Sequence, residues 1–228
     1  MRMPKLSISV EPKPFIDPYA SVARCYGVCL DPIIIHWKKK AMKLWPPRKG
    51  MVVLDAGCGT GAQLNLYRFY GCSVFGVEIS SGMIAAARQK YRESLNLCQG
   101  NAGRMPYRNQ IFDLILLSMM LHEIPPDTRT IVLAETERVL KDSGRIIIID
   151  YRVGRPNRPL GRLFKSVIKL IEMAAGRPHY DNYQNFMKTG GLPPLLKKHR
   201  LTIERHDIAG RGNIGLNIVA KELSAAAG

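Results

Sequence analysis

Short apolar runs alternate with stretches of helical periodicity along most of this 228-residue chain. Runs rich in Val, Ile and Leu predict strands at 51–56, 73–78, 95–99, 111–118 and 145–151. Between them, apolar residues recur at helical spacing near 60–70, 81–92 and 127–141, and Ser80 and Ser81 offer N-caps to the second of these helices. Leu201 to Arg205 and Asn213 to Ala220 read as two final strands. The run Ile111 to Ser118 has the composition of a buried parallel strand. Regular alternation of strand and helix predicts an α/β fold, with ligands outside the carboxyl ends of the strands, where the strand order reverses.

The first strand runs straight into a glycine-rich turn. Val52 to Gly61 reads V-V-L-D-A-G-C-G-T-G, with Gly57, Gly59 and Gly61 at alternate positions. Without Cβ, the backbone there turns sharply and lies close against a ligand. The next strand ends on Glu78, placed to accept hydrogen bonds from a ribose diol. Together they predict an adenosine-containing cofactor. The spacing is G-x-G-x-G rather than the dinucleotide G-x-G-x-x-G, and the chain carries no G-x-x-x-x-G-K-[ST] phosphate loop. S-adenosylmethionine (SAM) has no phosphate, and Asp55 suits the charged amine of its amino-acid end.

At these residues the chain resembles the class I SAM-dependent methyltransferases. Three later segments follow in that family's order. Gln99-Gly100-Asn101-Ala102 precedes Arg104-Met105-Pro106-Tyr107; Ile111-Phe112-Asp113 opens a strand that leads to Leu121-His122; and Arg138-Val139-Leu140-Lys141 precedes Gly144. Asn101 stands where relatives carry an acid that binds the adenine amino group, and its carbonyl oxygen still accepts from such a group. The resemblance covers about residues 15–221. It implies a Rossmann-like, doubly wound seven-stranded sheet, mostly parallel with an antiparallel last strand, plus a helical lid. It divides the chain into an N-terminal helical cover over 1–50 and a methyltransferase domain over 51–228, with a lid insertion at about 152–190. Cofactor contacts are then expected from Asp55, Gly57, Cys58, Gly59, Gly61, Glu78, Ile79, Met83, Asn101, Ala102, Ser118 and Met119, with S-adenosylhomocysteine as the product.

Methyl transfer from a sulfonium mainly requires positioning of the acceptor in line with the methyl group. An oxygen or carbon acceptor usually also has a proton removed. His122 and Glu123, at the end of the fourth strand, are the candidates for that base, against a reading in which Leu121-His122 only packs. Tyr19, Tyr26, His179, Tyr180 and Tyr183 lie in the flanks that form the lid, where they contact substrate or pack.

Charge separates core from flanks. The net charge is +16, yet residues 51–150 hold ten basic and ten acidic side chains. Residues 1–50 hold ten and three, and residues 151–228 fourteen and five. Basic flanks suit an anionic membrane, a nucleic acid or simple solubility. The stretch 158–175 forms a basic amphipathic helix: Leu163, Phe164, Val167, Ile168 and Ile171 line one side, and Arg162, Lys165, Lys169 and Glu172 the other. It is read as a lid helix with solvated charges, a membrane contact, or both. Trp37 beside Lys38-Lys39-Lys40 reads as an interfacial aromatic or a core Trp on a basic helix. Five cysteines, at 25, 29, 58, 72 and 98, fit reduced thiols; Cys25 and Cys29 have no Cys/His partners at zinc-site spacing, so no metal is assigned. No stretch approaches the roughly 18–20 apolar residues of a membrane span, and no secretory signal is evident. The expected setting is cytoplasmic, with peripheral membrane contact open. The nearest patterns are quinone-biosynthesis and related small-molecule methyltransferases, which implies a small apolar or amphiphilic acceptor. A nucleic-acid methyltransferase and a non-catalytic SAM-binding regulator are the alternatives.

Overall fold

The computed structural model describes residues 31–154, 156 and 159–222. Tyr19, Tyr26, Cys25 and Cys29 lie outside the described residues. The order of elements is α1 (Asp31–Leu44), β1 (Val52–Ala56), α2 (Ala62–Phe69), β2 (Ser73–Glu78), α3 (Ser81–Tyr91), β3 (Asn96–Gln99), β4 (Phe112–Ser118), α4 (Pro126–Val139) and β5 (Leu140–Tyr151). Three helices follow, α5 (Pro159–Ala174), α6 (Arg177–Lys188) and α7 (Leu192–Lys197), then β6 (Leu201–Ala209) and β7 (Ile214–Lys221). The strands form one seven-stranded sheet in the order β3-β2-β1-β4-β5-β7-β6. Pairing is parallel from β3 to β5, and β7 runs antiparallel to both β5 and β6.

Successive strand residues serve opposite faces. Val53, Leu114, Leu116, Ile147 and Ile149 pack with Trp37 and Ala41 of α1 and Leu64 and Tyr67 of α2. Leu54, Ile115, Leu117, Ile146 and Ile148 pack on the other face, with Val132 and Leu133 of α4, Phe186 of α6 and Leu196 of α7. Both faces are thus covered, which is why the central strands read as unbroken apolar runs. Each fully buried Leu or Ile contributes roughly 1.5–3 kcal/mol. Trp37 belongs to this core, and Lys40 Nζ binds Asp207 Oδ2 at 2.9 Å and the Ile208 carbonyl at 2.8 Å, tying α1 to β6.

Two boundaries differ from the sequence reading. The helix expected to reach residue 141 ends at Val139, and β5 starts at Leu140 rather than 145. Leu140 is fully buried opposite Phe112, and Lys141 Nζ reaches Asp113 Oδ1 at 2.7 Å. These contacts draw the turn into the sheet, with a register shift between Phe112 and Leu114. Asp113 Oδ2 also accepts from the Val52 N–H at 2.8 Å, so this carboxylate clasps β1, β4 and β5 at their entry ends.

Helix α5 is rotated relative to expectation. Ile168 and Glu172 face inward, 5% and 3% exposed, whereas Leu163, Val167 and Ile171 face outward together with Leu160 and Leu170. Glu172 was expected on the solvated side. Its carboxylate instead meets Tyr151 and His179, and these bonds outweigh the helix's own apolar stripe in setting which side faces in.

Candidate functional site

The glycine turn lies where β1 meets α2. Gly57, Gly59 and Gly61 have φ of 84°, 52° and 74°, the left-handed region open to glycine. The Gly57 and Cys58 N–H groups donate to the Val77 carbonyl at 2.8 and 3.1 Å, folding the turn over β2. A Cβ on Gly57 would lie 2.7 Å from Met120 Sδ, whereas nothing lies within 4 Å of a Cβ on Gly59. The turn is backed on one side and open on the other. Glu78 supports it: Oε2 accepts from the Gly59 N–H and Oε1 from the Ser80 N–H, both at 2.9 Å. Ser80 Oγ caps α3 by accepting from the Met83 N–H at 3.1 Å.

Around this turn lie buried polar groups with no partner among the described residues. Asp55 is 1% exposed, and neither carboxylate oxygen is hydrogen-bonded. Burial pushes its carboxyl up to about 7; Lys38 opposes the rise and Glu78 adds to it. Gln63 accepts from Ser118 Oγ at 2.7 Å, yet its Nε2 is buried without an acceptor. The Tyr67 hydroxyl is a third such group. Each orphaned group costs about 1–3 kcal/mol unless a ligand satisfies it. A buried carboxylate beside buried N–H and O–H donors suits a ligand that carries an ammonium and a carboxylate.

A second cluster forms where the loop after β4 meets β5, α5 and α6. His122 is 1% exposed, and its Nδ1 lies 2.7 Å from Asp150 Oδ1. Asp150 Oδ2 accepts from the Leu121 and His122 N–H groups at 3.0 and 3.3 Å. His122 Nε2 faces Glu172 Oε1 at 3.7 Å and Glu123 Oε1 at 3.8 Å. His179 Nε2 lies 2.7 Å from Glu172 Oε2, and the Tyr151 hydroxyl donates to Glu172 Oε1 at 2.7 Å. Burial works against a charged His122, but Asp150, Glu123 and Glu172 overcome it and raise the imidazole to about 9. Burial likewise opposes ionised Glu172, but the His179 bond and His122 hold its carboxyl below the usual range. Aromatic rings enclose the group, with the Tyr151 ring centroid 4.4 Å and the Tyr183 centroid 6.4 Å from His122.

Arg129 of α4 fixes this arrangement. It is 3% exposed; Nε donates to the Leu121 carbonyl at 2.7 Å, and its other nitrogens to Asn185 Oδ1 at 2.8 Å and the Asn182 carbonyl at 2.7 Å. Asn182 Nδ2 in turn donates to the Glu123 carbonyl at 2.8 Å. Helix α6 is therefore pinned directly over the His122 loop.

Comparisons with known proteins bear on both clusters. Residues 54–148 match the family described as "Methyltransferase domain". Over 182 residues, the chain is 30% identical to a demethylmenaquinone methyltransferase of Shouchella clausii, covering 75% of this chain and 76% of that protein. It belongs to the class I SAM-dependent methyltransferases. A demethylmenaquinone methyltransferase of Listeria welshimeri is 29% identical over 160 residues, covering 67% of this chain and 66% of that protein. The structure of a SAM-dependent methyltransferase from Aquifex aeolicus superposes with a TM-score of 0.65 at 18% identity, over 90% of this chain and 99% of that one. This methyltransferase therefore takes SAM as its cofactor.

The structure gathers Asp55, Gly57, Cys58, Gly59, Gly61, Glu78 and Ser118 around the open turn of the methyltransferase, with Ile79 41% exposed at its rim and Met83 buried at the start of α3. Asn101 is exposed, and its Oδ1 accepts from the Gly103 N–H at 2.7 Å, so the acceptor expected to face adenine is engaged within its own turn. Ala102 and Met119 are half-buried, and Met119 has φ of 56°. The His179 and Tyr183 rings lie 6.0 and 6.4 Å from that of His122, centroid to centroid. Sequence reasoning missed Gln63, Arg129, Asp150 and Glu172. Asp150 carried a signal, since it ends the run Ile146 to Ile149 just as Glu78 ends its own strand.

Proposed function

We propose that this methyltransferase acts on an apolar ring bearing a hydroxyl group, a reduced quinone, taken from the surface of an anionic membrane. The observation that carries the reading is the buried His122–Asp150–Glu172 cluster, enclosed by the Tyr151 and Tyr183 rings at the carboxyl edge of the sheet. The relatives' name, demethylmenaquinone methyltransferase, supports the same acceptor class.

In this reading Asp55 would hold the cofactor amine, and Gln63 and Tyr67 would donate to its carboxylate. The Glu78 carboxylate would accept from the ribose hydroxyls. Asn101, Ala102, Ile79 and Met83 would hold the adenine end, and Ser118 and Met119 the reactive end. Bound SAM supplies an electrophilic methyl group. Tyr151 and Tyr183 hold the acceptor ring. Glu123, 22% exposed on its side chain, accepts the hydroxyl proton, which drives electron density into the ring. His122 is protonated near neutrality, so its Nε2–H donates to the ring oxygen as charge develops there. Helices α5 and α6, the lid, exclude water.

The outward row Leu163, Val167, Leu170 and Ile171, with Arg162 and Lys169 exposed on the same helix, suits an anionic bilayer surface. Among the described residues no helix is long and apolar enough to cross a membrane.

The test is methyl transfer from labelled SAM to reduced demethylmenaquinone presented in anionic vesicles, with bulk RNA and a fractionated lipid extract as parallel acceptors. Label in the quinone supports the reading. Label confined to RNA, or none in any lipid fraction, overturns it.

A further inference from the structure

His122 lies far along the chain from the nearby pair Glu172 and His179; the three sit on the loop after β4, on α5 and at the start of α6. Yet one ligand atom from each falls within 4.8 Å of the other two. Two imidazoles and a carboxylate form a donor set suited to a borderline transition cation such as Zn²⁺, Fe²⁺ or Co²⁺ rather than Mg²⁺ or Ca²⁺. The surroundings have the features of a held site. Asp150 grips His122 Nδ1 at 2.7 Å, which fixes the ring and directs Nε2 towards Glu172. A carboxylate on the far nitrogen of an imidazole is the usual outer partner of a metal-bound histidine. The Tyr151 hydroxyl holds Glu172 Oε1 at 2.7 Å.

Charge points the same way. Asp150, Glu172 and Glu123 bring three carboxylates around His122, two of them nearly buried. Arg129 is a neighbouring permanent cation that acts on Asp150, and it donates to the Leu121 and Asn182 carbonyls and to Asn185 Oδ1 rather than to a carboxylate. Between the imidazoles, a divalent ion would balance this charge without requiring both to be protonated. His179, with 17% of its side chain exposed, gives the ion a way in from solvent.

We propose that His122 Nε2, the Glu172 carboxylate and His179 Nε2 bind a divalent transition cation that clamps α5 and α6 onto the sheet edge. The expectation of no metal rested on the cysteines, whereas this donor set joins the Glu172–His179 pair to a histidine distant in sequence. Only the ion's chemical role rests on the proposed function. On the acceptor side it would take the place of the His122 proton and lower the pKa of a ring hydroxyl. Binding itself does not depend on which acceptor is methylated.

The experiment uses the full chain, stripped with a chelator and titrated with Co²⁺ and Zn²⁺. Readouts are the visible absorption of bound Co²⁺, calorimetry, melting temperature and, separately, SAM affinity. The expected result is one bound equivalent with nitrogen- and oxygen-ligated Co²⁺ bands and a higher melting temperature with Zn²⁺. Glu172→Gln and His179→Ala should each weaken metal binding more than about tenfold, with SAM affinity unchanged. His179→Gln, at the partly exposed ligand, serves if Glu172→Gln does not fold. Absence of bound Co²⁺ at roughly 100 μM, or equal binding by the folded variants, overturns the proposal. Thiolate charge-transfer bands that survive the variants would assign the metal to cysteines and also overturn it. Metal binding lost in the variants without quinone methylation leaves the cation site standing and removes the acceptor reading; methylation without metal binding does the reverse.

Discussion

The Arg129 guanidinium reaches the Leu121 carbonyl at 2.7 Å and joins three elements through one side chain. Its remaining donors end on α6, at Asn182 and Asn185. Arg129→Met keeps the length of the side chain but leaves the buried Leu121 carbonyl, the part-buried Asn182 carbonyl and the Asn185 amide oxygen without this donor. Expected is a loss of roughly 2–4 kcal/mol in urea unfolding. Limited proteolysis should cut first in α5 and α6; a loss spread evenly over the chain would show that Arg129 is not a lid anchor.

Asp55 gives the protein a pH dependence of defined sign. Its carboxyl is raised by burial from 3.8 to about 7 in the folded state. The contribution to stability of the ligand-free protein is therefore full below 3.8 and is lost as pH rises through about 7. The protonated cofactor amine favours the ionised form, so SAM should bind more tightly as pH rises from about 6 to about 7.5, below the α-amino pKa. Asp55→Asn should flatten both profiles and weaken SAM by roughly 1–3 kcal/mol. Calorimetric titrations across that range are decisive: an unchanged slope in the variant removes Asp55 from the amine site.

Gly76, on β2 beneath the glycine turn, has no room for a side chain. A Cβ there would lie 2.7 Å from Cys58 Sγ and 2.8 Å from Leu64 and Leu97 methyl groups. Gly76→Ala should cost about 1–3 kcal/mol through overpacking and weaken SAM binding by displacing Cys58. Thermal unfolding and SAM titration of the one variant should change together; loss of stability with intact affinity would mean that the turn does not feel β2 packing.

The outward row on α5 makes a separate prediction. Leu163→Ser with Leu170→Ser should abolish co-sedimentation with anionic vesicles while leaving SAM affinity and melting temperature close to wild type, since both side chains are more than 60% exposed. Undiminished vesicle binding would move the membrane contact elsewhere, with the basic N-terminal flank as the next surface to alter.

What was legible in the sequence follows from which interactions are local. The strands β1, β2 and β4 are unbroken apolar runs because the sheet is covered on both faces, and their carboxyl ends mark themselves with Asp55, Glu78 and Ser118. The glycine turn is written in consecutive residues. The Glu172 orientation was not readable, because its partners Tyr151 and His179 lie on two other elements. Periodicity shows the apolar stripe of α5 but leaves open whether it covers the site as a lid or faces a membrane. Arg129 carries no local signal, because only the fold brings Asn182 and Asn185 within its reach.

Helix α5 carries one further consequence of the inward Glu172. Left to hydrophobic burial alone, the helix would roll about its axis until Leu163, Val167 and Ile171 were covered. That roll would pull the Glu172 carboxylate away from Tyr151 and His179 and break both 2.7 Å bonds. The ionic cluster thus acts as a rotational lock, which keeps a greasy surface turned towards the outside. Weakening the lock at Glu172 would silence the outer surface without touching any residue on it.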